Sequence, residues 1–312
     1  MLKINLKISP TYRGILFMLL AALGFSIMGG AAKALKGSFN AGQLVFWRNI
    51  VGLIVLVISF TNRTPVNKGG KLPRLIFRGL MGTIALYTLL YCIMHLPLGT
   101  AMSYNLTSAL FIALFSFLLF REYAGRWVLL AVLIGFTGML LIYKPNIHLP
   151  WFYHLAGLIS GITSAIAYLT VGRLTNFYDT RVIVLSFVLT GVLTPLLFVL
   201  IRFLFQLPAD ELLFIDWRWP QSNEWWIVLL MGSAALFGQY FVTKAYGADK
   251  AGVVSAISYA NIIFSIFIGM MLGDAFPDWV SLVGILCIIS SGLIISFIKA
   301  RRTQVINPGL SD

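Results

Sequence analysis

Stretches of about 20 apolar residues, the length that crosses a hydrocarbon core as a helix, recur along nearly the whole chain. They lie at 13–35, 41–61, 75–96, 99–120, 126–143, 152–175, 182–206, 225–247, 251–273 and 279–299. In lipid, a chain satisfies its backbone polar groups only as helices or as a closed barrel. Barrel strands alternate with period two, whereas these runs are apolar throughout. The sequence therefore predicts an all-α polytopic membrane protein of about ten spans. A soluble core has no use for 59% hydrophobic residues against 11% charged ones.

The net charge of +13 would point to nucleic acid in a soluble chain. Here most basic residues fall between the apolar runs, where they report orientation instead. One set of loops and span ends holds Lys3, Lys7, Arg63, Lys68, Lys71, Arg74, Arg78, Arg121, Arg126, Arg173, Arg181, Lys250, Lys299, Arg301 and Arg302. The other holds Lys36, Lys144, Arg202 and Arg218. The positive-inside rule then places both termini in the cytoplasm, and the cell's inner membrane is the expected location. The loop "QLPADELLFIDWRWPQSNEWW" faces outward, its Trp217, Trp219, Trp225 and Trp226 reading as an interfacial aromatic belt more readily than as a ligand lid. The first apolar stretch could be taken for a cleaved signal peptide, but its counterpart in the second half makes it a span. Cys92 and Cys287 lie inside apolar runs without metal-ligand spacing, so neither metal nor cofactor is expected.

The chain repeats itself. "LMGTIALYTLLY" (80–91) aligns with "LMGSAALFGQYF" (230–241), and "AMSYNLTSALF" (101–111) with "AISYANIIFSI" (256–266). Further on, Glu122 and Trp127 fall opposite Asp274 and Trp279; the first spans agree more weakly, Gly14, Phe25 and Gly29 facing Gly157, Tyr168 and Gly172. The repeats are residues 1–145 and 146–312, five helices each. An odd number of crossings inverts the second copy, and inverted repeats are a transporter architecture with a substrate site near the bilayer midplane.

With these features the chain resembles the drug/metabolite transporter superfamily, and within it the EamA-type transporters. "LPLGTAMSYNLTSALFIALFSFLLFREYAGRW" (96–127) is similar to that family's fourth helix and following loop. The resemblance implies that helices one to four and six to nine line a central cavity, while five and ten stand outside and offer a homodimer contact. It also implies a small-molecule substrate, such as an amino acid, a related metabolite or an adenosylated compound, in many members moved outward. Asp274 stands where the first repeat has Glu122, and no role is carried over to it.

Every aspartate and glutamate falls in a loop or at a span end. A pump for cations generally keeps a buried acid to pair with its substrate, so a dicationic substrate has no partner here. Arg48 lies about seven residues into its span, roughly 10 Å along the helix, and its repeat counterpart is Phe187. A guanidinium fork suits a carboxylate or phosphate, which makes Arg48 the candidate anchor for an anionic or zwitterionic substrate. The alternative is that it snorkels outward or caps a neighbouring helix.

Aromatic residues on the predicted lining spans complete the candidate site: Phe25, Trp47, Tyr87 and Tyr91, their counterparts Phe237 and Phe241, then Tyr104, Tyr168, Tyr240 and Tyr259. They could clasp a planar ring or a cationic group, with helix packing as the plainer account. Asn105, Asn261, Gln239 and Thr243 add neutral donors and acceptors. His95 and Lys244 are candidates for coupling, each also readable as an end-of-span residue; His148 and His154 read as surface residues. Pro195 is a candidate hinge or a simple kink, and "GLISG" and "GFTG" permit close helix approach.

No Walker A sequence is present, and no HExxH, paired intramembrane aspartates or Ser/His set suggests an enzyme. The expected function is a secondary transporter, exporter or exchanger, of a small carboxylate-bearing metabolite by alternating access. A flippase for a phosphate-bearing lipid carrier and an uptake carrier for an amine or adenosylated metabolite stay open beside it.

Overall fold

A computed structural model of the chain describes residues 10–62, 65, 67–108, 110–112, 114–115, 126–143, 150–210, 212–248 and 257–306. Ten helices stand among them: α1 (Pro10–Ala34), α2 (Ala41–Asn62), α3 (Leu72–His95), α4 (Leu98–Leu106), α5 (Arg126–Tyr143), α6 (Trp151–Leu174), α7 (Thr180–Phe205), α8 (Glu224–Ala248), α9 (Ala260–Met271) and α10 (Trp279–Ile306). α1, α2, α3, α6, α7 and α8 are long and apolar enough to cross a membrane. The protein is an all-α polytopic membrane protein. Glu122 and His148 lie outside the described residues.

Burial follows the solvent that each face meets. α7 turns Leu189, Leu193, Leu196, Leu197 and Leu200 outward at helical spacing, a lipid-facing stripe, while Val184, Phe187, Val188, Gly191 and Val192 pack inward. Apolar burial cannot hold such helices together, because lipid tails are as apolar as leucine. Close approach and interhelical hydrogen bonds do it instead. A Cβ at Gly138 on α5 would come within 2.6 Å of the Gly284 carbonyl on α10, and Ser291 Oγ donates to the Ala131 carbonyl across the same seam. α5 and α10 pack mainly on each other, at the side of the bundle. Gly157, in "GLISG", lies against the Tyr104 ring, where a Cβ would approach to 2.5 Å.

The larger helix contacts come in pairs. α1 packs on α8 as α6 packs on α3; α1 on α9 as α6 on α4; α2 on α8 as α7 on α3. α2 with α7, α4 with α9 and α5 with α10 are their own counterparts. Equivalent polar links mark two of these seams. Asn105 Nδ2 on α4 donates to Ser160 Oγ and Ser164 Oγ on α6, both at 2.9 Å, and Asn261 Nδ2 on α9 donates to the Ala22 carbonyl on α1.

One end of the bundle is closed by the segment between α7 and α8. Gln43 Nε2 donates to the Arg218 carbonyl and Arg218 to the Ser38 carbonyl, while Arg202 donates to the Ile215 carbonyl and pairs with Asp216. At that same end Lys33 on α1 pairs with Asp274, whose other oxygen accepts from the Leu98 amide at 2.9 Å. One carboxylate thus joins α1, the α9–α10 connection and the start of α4. At the other end Asp179 caps α7 and pairs with Arg181, which also donates to the Ser59 carbonyl of α2.

Candidate functional site

α1, α2, α3, α4, α6, α7, α8 and α9 surround a central cavity of about 80 Å³. Among the described residues, its two charged lining residues are both arginines. Arg48 enters from α2, about two turns below the tryptophan-rich end, and Arg78 from α3, about two turns above the opposite end. Each is nearly fully buried, 4% and 2% exposed. Their guanidinium carbons lie 5.1 and 5.0 Å from the centroid of one ring, Phe187 on α7. Arg48 also donates to Asn49 Oδ1 at 3.1 Å, and Asn49 in turn donates to the Val45 carbonyl.

Two like charges in apolar surroundings cost several kcal/mol each unless something compensates them. The ring face offers a guanidinium about 0.5–2 kcal/mol. No aspartate or glutamate lines the cavity among the described residues. Arg48 Nε, Arg78 Nε and one terminal nitrogen of Arg78 are buried there without a hydrogen-bond partner among those residues. The rest of the lining is neutral: Asn105, Ser108, Ser164, Gln239, Ser258 and Asn261 supply polar atoms, and Tyr168 and Tyr246 stack at 5.3 Å between centroids. The cavity lining among the described residues thus carries positive charge and no negative charge.

Arg78 is the residue that sequence reading missed. It was counted among the loop cations that set orientation, yet it lies inside α3. The available signal was local: "LIFRGLMG" flanks the arginine with apolar residues on both sides, as "VFWRNIVG" flanks Arg48. A count of basic residues does not ask which way each one points.

Of the expected site residues, the structure brings Phe25, Arg48, Asn105, Tyr168, Gln239 and Asn261 into the cavity lining. Trp47 points elsewhere, into a cluster with Phe46, Trp217, Trp219 and Trp225 at ring distances of 5.1–5.8 Å. That cluster pins the α7–α8 segment onto the start of α2, while Trp226 remains exposed. Tyr87 is buried against Phe198, and Phe237, its repeat counterpart, is exposed on the outside of α8. Tyr91 and His95 form a ring stack with Tyr153 at the tryptophan-rich end. Tyr104 and Tyr259 are buried outside the lining set. Tyr240 lies under the Lys244 ammonium, 4.7 Å from its centroid, with Phe17 close by. Pro195 is buried within α7. His154, expected at the surface, is buried, and its Nδ1 shares a 2.7 Å hydrogen bond with the Tyr104 hydroxyl. α4 packs over the start of α6 and covers it, which the sequence position alone does not reveal.

The family profile described as EamA-like transporter matches residues 12–144. A protein of Helicobacter pylori described as an uncharacterized transporter is 31% identical over 292 residues, covering 91% of this chain and 94% of its own. The chain belongs to the EamA-like transporter family. The pseudopaline exporter CntI of Pseudomonas aeruginosa is 27% identical, over 92% of this chain and 96% of its own. A solved protein structure shares the fold with a TM-score of 0.64 at 20% identity, across 93% of this chain and 98% of that one. This EamA-like protein is accordingly a membrane transporter of small molecules and not an enzyme, and the arginine-lined cavity is its candidate substrate site.

Proposed function

We propose that this EamA-like protein is a secondary transporter, an exporter or exchanger, for a small organic metabolite bearing a carboxylate. It works by alternating access between two inverted repeats, residues 1–145 and 146–312, with both termini cytoplasmic in a bacterial inner membrane. The observation that carries this reading is the buried, incompletely hydrogen-bonded guanidinium of Arg48 facing a cavity without an acidic lining residue among those described. A carboxylate there would gain two parallel charge-assisted hydrogen bonds, the strongest kind available to a neutral-pH ligand. Asn49 holds the fork from behind, and the neutral polar residues of α4, α6, α8 and α9 can receive the rest of the molecule.

The paired helix contacts support the inverted-repeat reading, since each large contact has its equivalent in the other half. The resemblance to an exporter over nearly the full chain supports outward movement. The cavity lies nearer the α6–α7 end, while ion pairs and the tryptophan cluster close the other, as one of the two states of such a cycle would. Without a carboxylate lining the cavity among the described residues to carry protons, transport is independent of a pH gradient. A flux in proteoliposomes that collapses with a protonophore at fixed membrane potential would overturn that point.

The direct test is a thermal-shift screen of the purified protein against amino acids, organic acids, amines and nucleosides, with Arg48→Ala run in parallel. A ligand at about 100 times its Kd stabilises the state it binds by about 2.7 kcal/mol. Carboxylate-bearing compounds should stabilise the wild type and not the folded variant. An equal response of both proteins, or a response to amines alone, would remove Arg48 from the site.

A further inference from the structure

We propose that Arg78 is a second anion anchor, so that the cavity selects substrates carrying two negative charges. This rests on the reading of Arg48 as the carboxylate anchor and goes beyond it. The observation is juxtaposition: from different helices and opposite ends of the bundle, two guanidinium groups reach the same Phe187 ring and line the same cavity.

A purely structural role for Arg78 would be to clamp α3 onto α7. That seam is held by other means. Thr83 Oγ1 and Thr190 Oγ1 share a 2.8 Å hydrogen bond, and Gly79 lets the helices approach until a Cβ there would be 2.6 Å from the Ser186 carbonyl. Arg78 itself keeps two buried nitrogens without a partner among the described residues, the reverse of what a clamp would do. Nor does it snorkel: at 2% exposure it is among the most completely buried large side chains.

Charge decides the ligand class. A monoanion on Arg48 leaves the second guanidinium uncompensated in apolar surroundings, whereas a dianion neutralises both. Two carboxylates a few bonds apart, or one doubly ionised phosphate between the forks, supply that charge. Each guanidinium can offer a carboxylate or phosphate two donors at once. Tyr168 stands beside the same space and offers a hydroxyl to either.

The experiment titrates full-length protein in detergent by thermal shift with three probes: glutarate, its monoamide, and glycerol 3-phosphate, at a pH where the carboxylates and the phosphate are fully ionised. Glutarate should bind the wild type about tenfold or more tightly than the monoamide, a difference of about 1.4 kcal/mol. Arg78→Gln should erase that preference by weakening glutarate far more than the monoamide, Arg78→Lys should keep most of it, and Arg48→Gln should weaken both. Glycerol 3-phosphate binding more tightly than glutarate would identify a phosphate as the dianion; matching the monoamide instead, it would identify a dicarboxylate. Equal wild-type affinity for glutarate and its monoamide overturns the proposal, even where Arg78→Gln fails to fold. So does Arg78→Gln weakening both ligands alike or neither. In those cases an Arg48→Gln loss would leave the carboxylate reading standing, and its absence would end both.

Discussion

The two halves of the molecule share a scaffold and divide the chemistry. α1–α4 give the cavity both of its arginines together with Met18, Met28, Leu86 and Leu89, while α6–α9 give it Phe187, Tyr168, Tyr246, Gln239, Ser258 and Asn261. Arg48 has Phe187 as its repeat counterpart, and the register that pairs residue 80 with residue 230 puts Val228, fully buried, opposite Arg78. Packing therefore follows the duplication where charge does not. Under the proposed alternating access a two-fold arrangement would serve the motion, because both open states would use equivalent seams. A two-fold charge pattern would place four cations around one small cavity, and the repulsion would grow faster than any single substrate could offset. One half carries the charge and the other supplies the ring that both charges share.

Removing the charge from the first half has the largest expected effect. Arg48→Ala should weaken carboxylate binding by about 2–4 kcal/mol, roughly 100-fold in Kd, because a buried charge-assisted contact is lost outright. Isothermal titration on the folded variant measures it, and a change below threefold would return Arg48 to a structural role. Exchanging the two residues sharpens the comparison. Arg48→Phe combined with Phe187→Arg keeps one cation and one ring at the same seam, and should recover at least about tenfold of the loss if the charge matters more than the half that bears it. Recovery no better than Arg48→Phe alone would show that α2 sets the geometry.

The ends of the bundle give the next effect. Lys33→Met leaves Asp274 partly buried with the Leu98 amide as the remaining partner of its side chain among the described residues, and should lower stability by about 1–3 kcal/mol. Asp274→Asn, which keeps a side chain able to accept from Leu98, should cost less; thermal denaturation of the two variants orders them. Phe187→Leu removes the ring beneath both arginines. It should weaken ligand binding by no more than about 1 kcal/mol, since a bound anion takes over most of what the ring supplied. Smallest of all is Phe237→Ala. It should leave ligand affinity unchanged within twofold, because that side chain faces outward. The same change at its repeat partner, Tyr87→Ala, should destabilise the fold by about 3 kcal/mol by opening a space beside Phe198.

Repeat logic explains why some candidate residues were legible and others not. Tyr87 and Phe237 occupy equivalent positions in sequence, yet one is buried and the other exposed to lipid. Equivalent helices have equivalent neighbours only where both copies keep the same side chains, and α3 and α8 do not. Asn105 and Tyr168 could be placed from their polarity inside spans, since lipid rejects such groups and the interior receives them. Tyr104 and His154 each read as independent polar residues, one toward the cavity and one at the surface. They satisfy each other across the α4–α6 seam, a pairing 50 residues apart that no local pattern encodes.

The sequence by itself determined the class of the molecule. Ten apolar runs dictate helices in lipid, because no other unclosed structure satisfies the backbone there, and the internal alignments give the order in which helices correspond. It also flagged Arg48, since a cation so far inside a span is expensive enough to need a reason. Tertiary structure alone decided where that cation points. Whether an arginine two turns from a helix end escapes to water or turns inward depends on what packs around it. At Arg78 the close approach of α3 to α7 shuts the outward path and turns the side chain toward Phe187. Hydropathy gives the cost of a buried charge but not its direction, and the direction is what brought two arginines, from helices that meet only in the fold, to one cavity.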